Sequence, residues 1–255
     1  MLSKTETAED TFRELTTGAV FANNGKRSKA TSRNLRIALF KLLSFINLVM
    51  VVMRFLAIAD LHDSWSNLKL LSKKVVDYDA LFMCGDIATS RESAEKVISH
   101  LEGNTVFYVP GNGESHYIEK MFRKAGMSIH GEVISFGGYD IAGFGYSPPT
   151  PFGTPGELPE EEIRKKMEEL KIREKSILIT HCPPEGILDN GFGSYAIREY
   201  VERERPALHL FGHVHEIAET EKIGRTLFVN CPPAMRGWAV EIRAGNEIEV
   251  EFTRL

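Results

Sequence analysis

Residues 54–88 read RFLAIADLHDSWSNLKLLSKKVVDYDALFMCGDIA, and their rhythm decides the fold. The run RFLAIA (54–59) is short, apolar and bounded by polar residues, the pattern of a buried strand. SNLKLLSKKVVD (66–77) spaces its apolar residues along one helical face, and DALFMC (79–84) is a second buried strand. Working outward, RESAEKVISHLE (91–102) reads as an amphipathic helix, with Thr89 and Glu92 spaced as a capping box, and TVFYV (105–109) as a third strand. Strand, helix, strand, helix, strand at this spacing implies parallel strands, right-handed crossovers and a site at the strand carboxyl ends.

Each strand gives way to polar residues. The first runs into ADLHD, carrying Asp60 and His62; the second into CGDIA, carrying Asp86; the third into PGNGE, carrying Asn112. Two later apolar runs, SILIT (176–180) and ALHLF (207–211), lead into His181 and into Gly212-His213-Val214-His215. Each residue alone has an ordinary explanation as a helix cap, a turn former or a satisfied histidine. Together they are three oxygen-bearing and four imidazole side chains sent to one edge of a fold. Such a cluster repels itself or lacks partners unless a cation sits within it. Mixed imidazole and carboxylate donors suit Zn, Fe, Mn or Ni better than Ca or Mg, and seven donors exceed the demand of one ion.

Composition sets the frame around this cluster. The chain has 255 residues, 43% hydrophobic and 26% charged, enough for one large domain or one domain with an extension. A net charge of −4 gives no general pull toward nucleic acid or an anionic membrane, so substrate recognition must come from a local site. Cys84, Cys182 and Cys231 are widely spaced and odd in number, which argues against a disulfide framework and for a reducing, cytoplasmic setting. Residues 1–52 differ from the rest: a polar, turn-rich segment precedes the apolar stretch LRIALFKLLSFINLVMVVM (35–53). Lys41, Ser44 and Asn47 interrupt that stretch, so it reads as an amphipathic helix that packs, faces a partner or is dispensable, ahead of a membrane span. The periodic α/β pattern starts at Met53, dividing the chain into an extension (1–52) and a domain (53–255).

The ordered blocks Asp60-x-His62, Gly85-Asp86, Gly111-Asn112, His181 and Gly212-His213-x-His215 resemble the signature of the calcineurin-like metallophosphoesterase superfamily. The segment from Thr180 to Glu216 resembles its phosphodiesterase-like branch, in which His-x-Pro-Pro and a Gly-Ser helix start precede the final histidine pair. The resemblance implies an α/β fold, a four-layer α/β/β/α sandwich of two mixed β-sheets with the metal site at the strand carboxyl ends. It implies two divalent transition metals, Mn favoured among Mn, Fe, Zn and Ni. Asp60, His62, Asp86 and His215 would hold one, and Asp86, Asn112, His181 and His213 the other. It further implies phosphoester hydrolysis by a metal-bridging hydroxide, with diesters preferred to monoesters and a small phosphoester as substrate. A noncatalytic scaffold of the same fold and a nuclease are the alternatives, and a homo-oligomer is left open.

One block departs from the family. Where Gly-Asn-His-Asp/Glu is common, and the histidine is assigned to protonating the leaving group, this chain reads Gly111-Asn112-Gly113-Glu114. His116, three residues on, is the candidate substitute acid, against the plainer reading of a surface histidine opening the next helix. Asn112, besides holding metal, is a candidate contact for a phosphate oxygen. SPPTPFGTPGELP (147–159) is long and rich in Pro and Gly, either a border of the substrate cleft or a solvated loop. Arg198 and Arg236 are candidate phosphate clamps, with surface positions the plainer reading for both. EEIRKKMEELKIREK (161–175) reads as a solvated helix.

Overall fold

In a computed structural model that describes residues 52–173 and 175–255, the expected alternation is present. Strands β1 (Met53–Ile58), β2 (Ala80–Cys84) and β3 (Val106–Val109) alternate with helices α1 (Trp65–Lys74) and α2 (Arg91–Leu101). A short 3₁₀ turn at Val75–Asp77 finishes the first crossover, because the helical hydrogen-bond pattern tightens before the chain extends at Tyr78. After β3 come α3 (His116–Lys124), the hairpin β4 (Glu132–Phe136) and β5 (Tyr139–Phe144), α4 (Glu160–Glu169), β6 (Ser176–Thr180), α5 (Tyr195–Glu204) and β7 (Leu208–Phe211). Two antiparallel pairs close the chain: β8 (Thr220–Ile223) with β9 (Thr226–Asn230), and β10 (Trp238–Ala244) with β11 (Ile248–Arg254).

Local chemistry explains where the helices begin. The cap of α2 is Ser90, whose hydroxyl accepts from the Ser93 N–H at 3.1 Å. Thr89, expected to cap it, instead donates its hydroxyl to Asp63. α5 is capped by Ser194, which accepts from the Ile197 N–H at 3.2 Å. Glu160 reaches across from the first turn of α4 to take the Tyr195 and Ala196 N–H groups at 2.9 and 3.0 Å. The free N–H groups that open α5 are thus met by a neighbouring helix. The helix expected over 161–175 is shorter than its charge pattern implies and ends at Glu169.

The strands form two mixed sheets, ordered β11-β10-β1-β2-β3 and β4-β5-β6-β7-β9-β8. β1, β2 and β3 are parallel, as are β5, β6, β7 and β9, with antiparallel strands at the margins. Phe55, Ala57, Phe82 and Phe107 of one sheet pack against Ile141, Ile177, Ile179, Leu208 and Leu210 of the other, all buried. On the outer face of the first sheet, Leu56, Ile58, Leu81 and Met83 meet Leu68, Leu71, Val97, Leu101 and Phe122 from α1, α2 and α3. On the outer face of the second, Phe144, Leu178 and Phe211 meet Ile163, Met167, Ile197 and Tyr200 from α4 and α5. The result is a four-layer α/β/β/α sandwich, because central parallel strands apolar on both faces need cover on both.

Residues 52–255 form one compact unit. The amphipathic helix expected over 35–53 lies, apart from its last two residues, outside the described part of the chain. Met53 already pairs with Ala244, and β1 is flanked by β10 and β2 on its two edges. A chain beginning at Met53 is therefore expected to stay soluble and to melt cooperatively within a few degrees of the full-length protein. Circular dichroism of both chains checks this, and an insoluble truncation would show that the fold needs the preceding segment.

Candidate metal centre

The loops that leave β1 and β2 are stitched together by their own backbone, as are those that leave β6 and β7. Asp60 N–H donates to the Gly85 carbonyl and His62 N–H to the Asp86 carbonyl, both at 3.0 Å, and Gly212 N–H donates to the His181 carbonyl at 3.0 Å. To make these turns Asp60, His62, Asp86 and His213 adopt left-handed backbone, with φ of 54°, 43°, 54° and 70°. For residues with a Cβ this costs roughly 1–2 kcal/mol each, so the surrounding bonds must hold them there. Two glycines allow the close approach. A Cβ at Gly111 would lie 2.1 Å from Asp86 Oδ1, and one at Gly212 would lie 2.7 Å from Asp60 Oδ2.

Each carboxylate divides its oxygens between a backbone N–H and the cluster. Asp86 Oδ1 accepts from Gly113 N–H at 2.8 Å, and Asp60 Oδ2 from His213 N–H at 3.1 Å. Asp60 Oδ1 is buried and has no hydrogen-bond partner among the described residues. It faces His215 Nε2 at 3.2 Å and His62 Nε2 at 3.8 Å, while the two imidazole nitrogens are 3.4 Å apart. Asp86 Oδ2 sits between two groups, 3.8 Å from His62 Nε2 and 3.7 Å from His181 Nε2. On the far side His181 Nε2 lies 2.8 Å from Asn112 Oδ1 and 3.1 Å from His213 Nδ1.

One backbone partner settles the tautomer of His181. His181 Nδ1 lies 2.8 Å from the Cys84 carbonyl, which can only accept, so Nδ1 carries a proton, and as a metal ligand the ring would turn a lone pair on Nε2 toward Asn112. Burial pushes the His213 imidazole down to about 3, which favours its neutral form. The adjacent Asp60 carboxylate, 3.2 Å away, raises His215. Burial pushes the Asp60 carboxyl up, but His215, His181 and His62 outweigh it and hold it below its ordinary value. With His181 neutral, Asn112 Oδ1 and His181 Nε2 are two acceptors facing one another at 2.8 Å, an arrangement that repels unless a cation lies among them. The donor set fits a divalent transition metal. The structure brings all seven residues singled out in the sequence into this one cluster.

His116 is outside it. The residue is exposed at the first position of α3 and takes no part in the hydrogen bonds or ion pairs of the cluster. Arg198 pairs with Glu202 at 2.7 Å and donates to the Glu185 carbonyl, and Arg236 donates to the backbone carbonyl of His215 at 3.0 Å. The three cysteines are buried and free.

Glu114 has a role that sequence reasoning missed. Fully buried, it takes four backbone N–H groups: Asp86 and Gly111 on Oε2 at 3.0 and 2.7 Å, Ile87 and Ala88 on Oε1 at 2.9 and 2.8 Å. It therefore clamps the loop after β2 to the loop after β3. Burial and the neighbouring Asp86 charge push its carboxyl up to about 7 against the pull of those donors. In the sequence it is only the residue that closes the third block, with nothing to show which N–H groups it would meet.

Oxygen and imidazole donors gathered at the strand carboxyl ends of a four-layer sandwich define the metallophosphoesterase class. The chain belongs to the calcineurin-like phosphoesterase family, whose model matches residues 53–216. An uncharacterized protein of Methanocaldococcus jannaschii is 31% identical over 196 residues, 71% of this chain and 88% of that protein. Among solved structures, a Thermus thermophilus protein aligns with a TM-score of 0.63 at 17% identity, covering 80% of this chain and 99% of that one. Phosphopantetheinyl hydrolase of Mycobacterium tuberculosis aligns with a TM-score of 0.57 at 16% identity, covering 71% of this chain and 90% of that one. At such identities the likeness is one of fold. No helix among the described residues is long and apolar enough to cross a membrane.

The clamp makes a testable demand. In Glu114→Gln one end of the side chain becomes a donor facing two N–H groups that lose their acceptor. Each buried donor left without a partner costs about 1–3 kcal/mol. Chemical denaturation is expected to show a loss in that range or up to twice it, and an unchanged midpoint would mean that Glu114 does not hold the loops.

Proposed function

We propose that this protein is a dinuclear metal-dependent phosphodiesterase. The observation that carries the reading is the facing of acceptor atoms, above all Asn112 Oδ1 and His181 Nε2 at 2.8 Å. In this reading Asp60, His62, Asp86 and His215 hold one ion, and Asp86, Asn112, His181 and His213 hold the second. Two bound divalent cations supply a nucleophilic water usable at neutral pH and neutralise charge on the phosphoryl oxygens during in-line displacement. The chain's own part is to hold the donors rigid. Gly113 N–H and His213 N–H fix the two carboxylates, the Cys84 carbonyl fixes the His181 ring, and Glu114 fixes the loops. Manganese is the metal we favour and the cytoplasm the compartment, the latter supported by three free cysteines.

Charge supports a diester over a monoester. A diester carries one negative charge and a monoester close to two at neutral pH. The ion-pair partners of the Asp60 and Asp86 carboxylates are imidazoles, with no lysine or arginine in those pairs. Arg198, one of the two candidate clamps, is already engaged by Glu202 and Glu185. A net charge of −4 weighs against a nuclease.

Chelation is expected to abolish hydrolysis of an activated aryl phosphodiester, and Mn²⁺ to restore it. Asp86→Ala, which removes a donor shared by both ions, is expected to cost more activity than loss of any other donor. Full activity of that variant in excess chelator would end the reading, and metal binding without turnover would favour the scaffold.

The missing histidine supplies a second test. Gly113 has no left-handed requirement, and a Cβ there would lie 3.1 Å from Asp86 Oδ1, close enough to need a shift of a few tenths of an ångström. General acid catalysis contributes typically ~10²–10⁴-fold. Gly113→His is therefore expected to raise turnover of esters with alkyl leaving groups while hardly changing nitrophenyl esters. His116→Ala is expected to slow only the alkyl esters if His116 is the acid. If neither variant discriminates by leaving group, the proton comes from water.

A further inference from the structure

The side-chain amide of Asn112 has two ends of nearly equal shape, and only one can bind a metal. Half a turn about the last bond exchanges a carbonyl oxygen for an NH₂ group. An NH₂ aimed at His181 would present protons where a cation must sit. Something has to decide between the two, and the loop at 147–159 holds it.

Asn112 Nδ2 lies 2.9 Å from Thr154 Oγ1, and Thr154 Oγ1 lies 2.7 Å from Glu157 Oε1. An ionised carboxylate only accepts, so the single hydroxyl proton of Thr154 goes to Glu157. The threonine oxygen is left with lone pairs toward Asn112, and only the NH₂ end can meet them. Glu157 stays ionised: hydrogen bonds from Thr150 foremost, and from Thr154, hold its carboxyl down to about 2. The loop backbone is pinned to the same place. Gly156 N–H donates to the Asn112 carbonyl at 2.8 Å, Ser147 N–H to the Gly156 carbonyl at 3.1 Å, and Leu158 N–H to the Ser147 carbonyl at 2.9 Å. A Cβ at Gly156 would lie 2.5 Å from the Gly111 carbonyl oxygen, so the strand-end loop and the Pro-rich loop touch backbone to backbone.

We infer that Thr154, backed by Glu157, is a positioning residue that orients the Asn112 amide and so sets the affinity of the cation site formed with His181 and His213. The inference rests on the two-cation reading above. It gives the loop at 147–159 a specific task, and it accounts for the Asn112 NH₂ without a substrate phosphate. The effect reaches only one of the two sites. Asp60, His62 and His215 lie on the other side of the cluster and face one another there.

The test uses full-length protein stripped by chelation and titrated with Mn²⁺, with free Mn²⁺ read by its electron paramagnetic resonance signal. Wild type and Thr154→Ser, which keeps the hydroxyl, are expected to bind two ions with matching affinities. Thr154→Val keeps the shape and loses the acceptor. It is expected to bind the first ion unchanged and the second about 10–100-fold more weakly, the usual effect of losing a partner that orients a metal ligand. The unchanged first site serves as the check on folding. In an Asn112→Ala background Thr154→Val is expected to add nothing, because the amide it orients is gone. Thr154→Val with two wild-type affinities, an equal loss at both sites, or a further loss in the Asn112→Ala background would each overturn the inference. Wild type that binds fewer than two ions would instead overturn the two-cation reading on which it rests.

Discussion

Seven side chains meet where the two sheets open, and most of the atoms they turn toward one another are acceptors. Left without a cation, such a cluster gains by spreading into solvent. It is kept together by the loops behind it, whose N–H groups hold one oxygen of Asp60 and one of Asp86 and leave the other oxygen facing inward. The same economy of atoms applies to His181, whose Nδ1 is committed to the Cys84 carbonyl so that Nε2 is free. Rigid donors of this kind are ready for an ion before it arrives, and little has to reorganise when it does.

The geometry works against local preference. Asp60, His62, Asp86 and His213 sit in a backbone region that L-residues avoid. What offsets this lies partly in the sandwich, with apolar contacts on both faces of both sheets, and partly in polar clamps under the site. Glu114 and Glu160 are alike in this respect. Each is a carboxylate whose main partners are backbone N–H groups, the first joining two loops and the second joining two helices. A side chain used in this way supports a site by holding backbone, so its loss reaches the chemistry through stability and geometry.

Much of the fold was legible because parallel central strands are buried on both faces and so read as continuous apolar runs. β6 falls at 176–180 as expected, and β1, β2, β3 and β7 within a residue or two. The margins were less legible. β8 is exposed along its whole length and β11 only alternates between half-buried and exposed. Such strands are specified by the partner edge they complete more than by their own composition. The cap of α2 shows the same limit, since Thr89 and Ser90 are both caps by type, and in the fold Asp63 engages Thr89 and leaves Ser90 to cap.

The sequence alone determined that Asp60, His62, Asp86, Asn112, His181, His213 and His215 belong together, because each stands next to a strand end and parallel topology sends strand ends to one edge. It also marked Gly113 as the place where a familiar imidazole is missing. Which oxygen of each aspartate faces inward, which nitrogen of His181 is free, and what Glu114 and Thr154 hold were decided by tertiary structure. Residue type states what a side chain can donate or accept. Only the packing of loops far apart in sequence, such as 111–114 against 86–88 or 154–157 against 112, states which of its atoms is already taken.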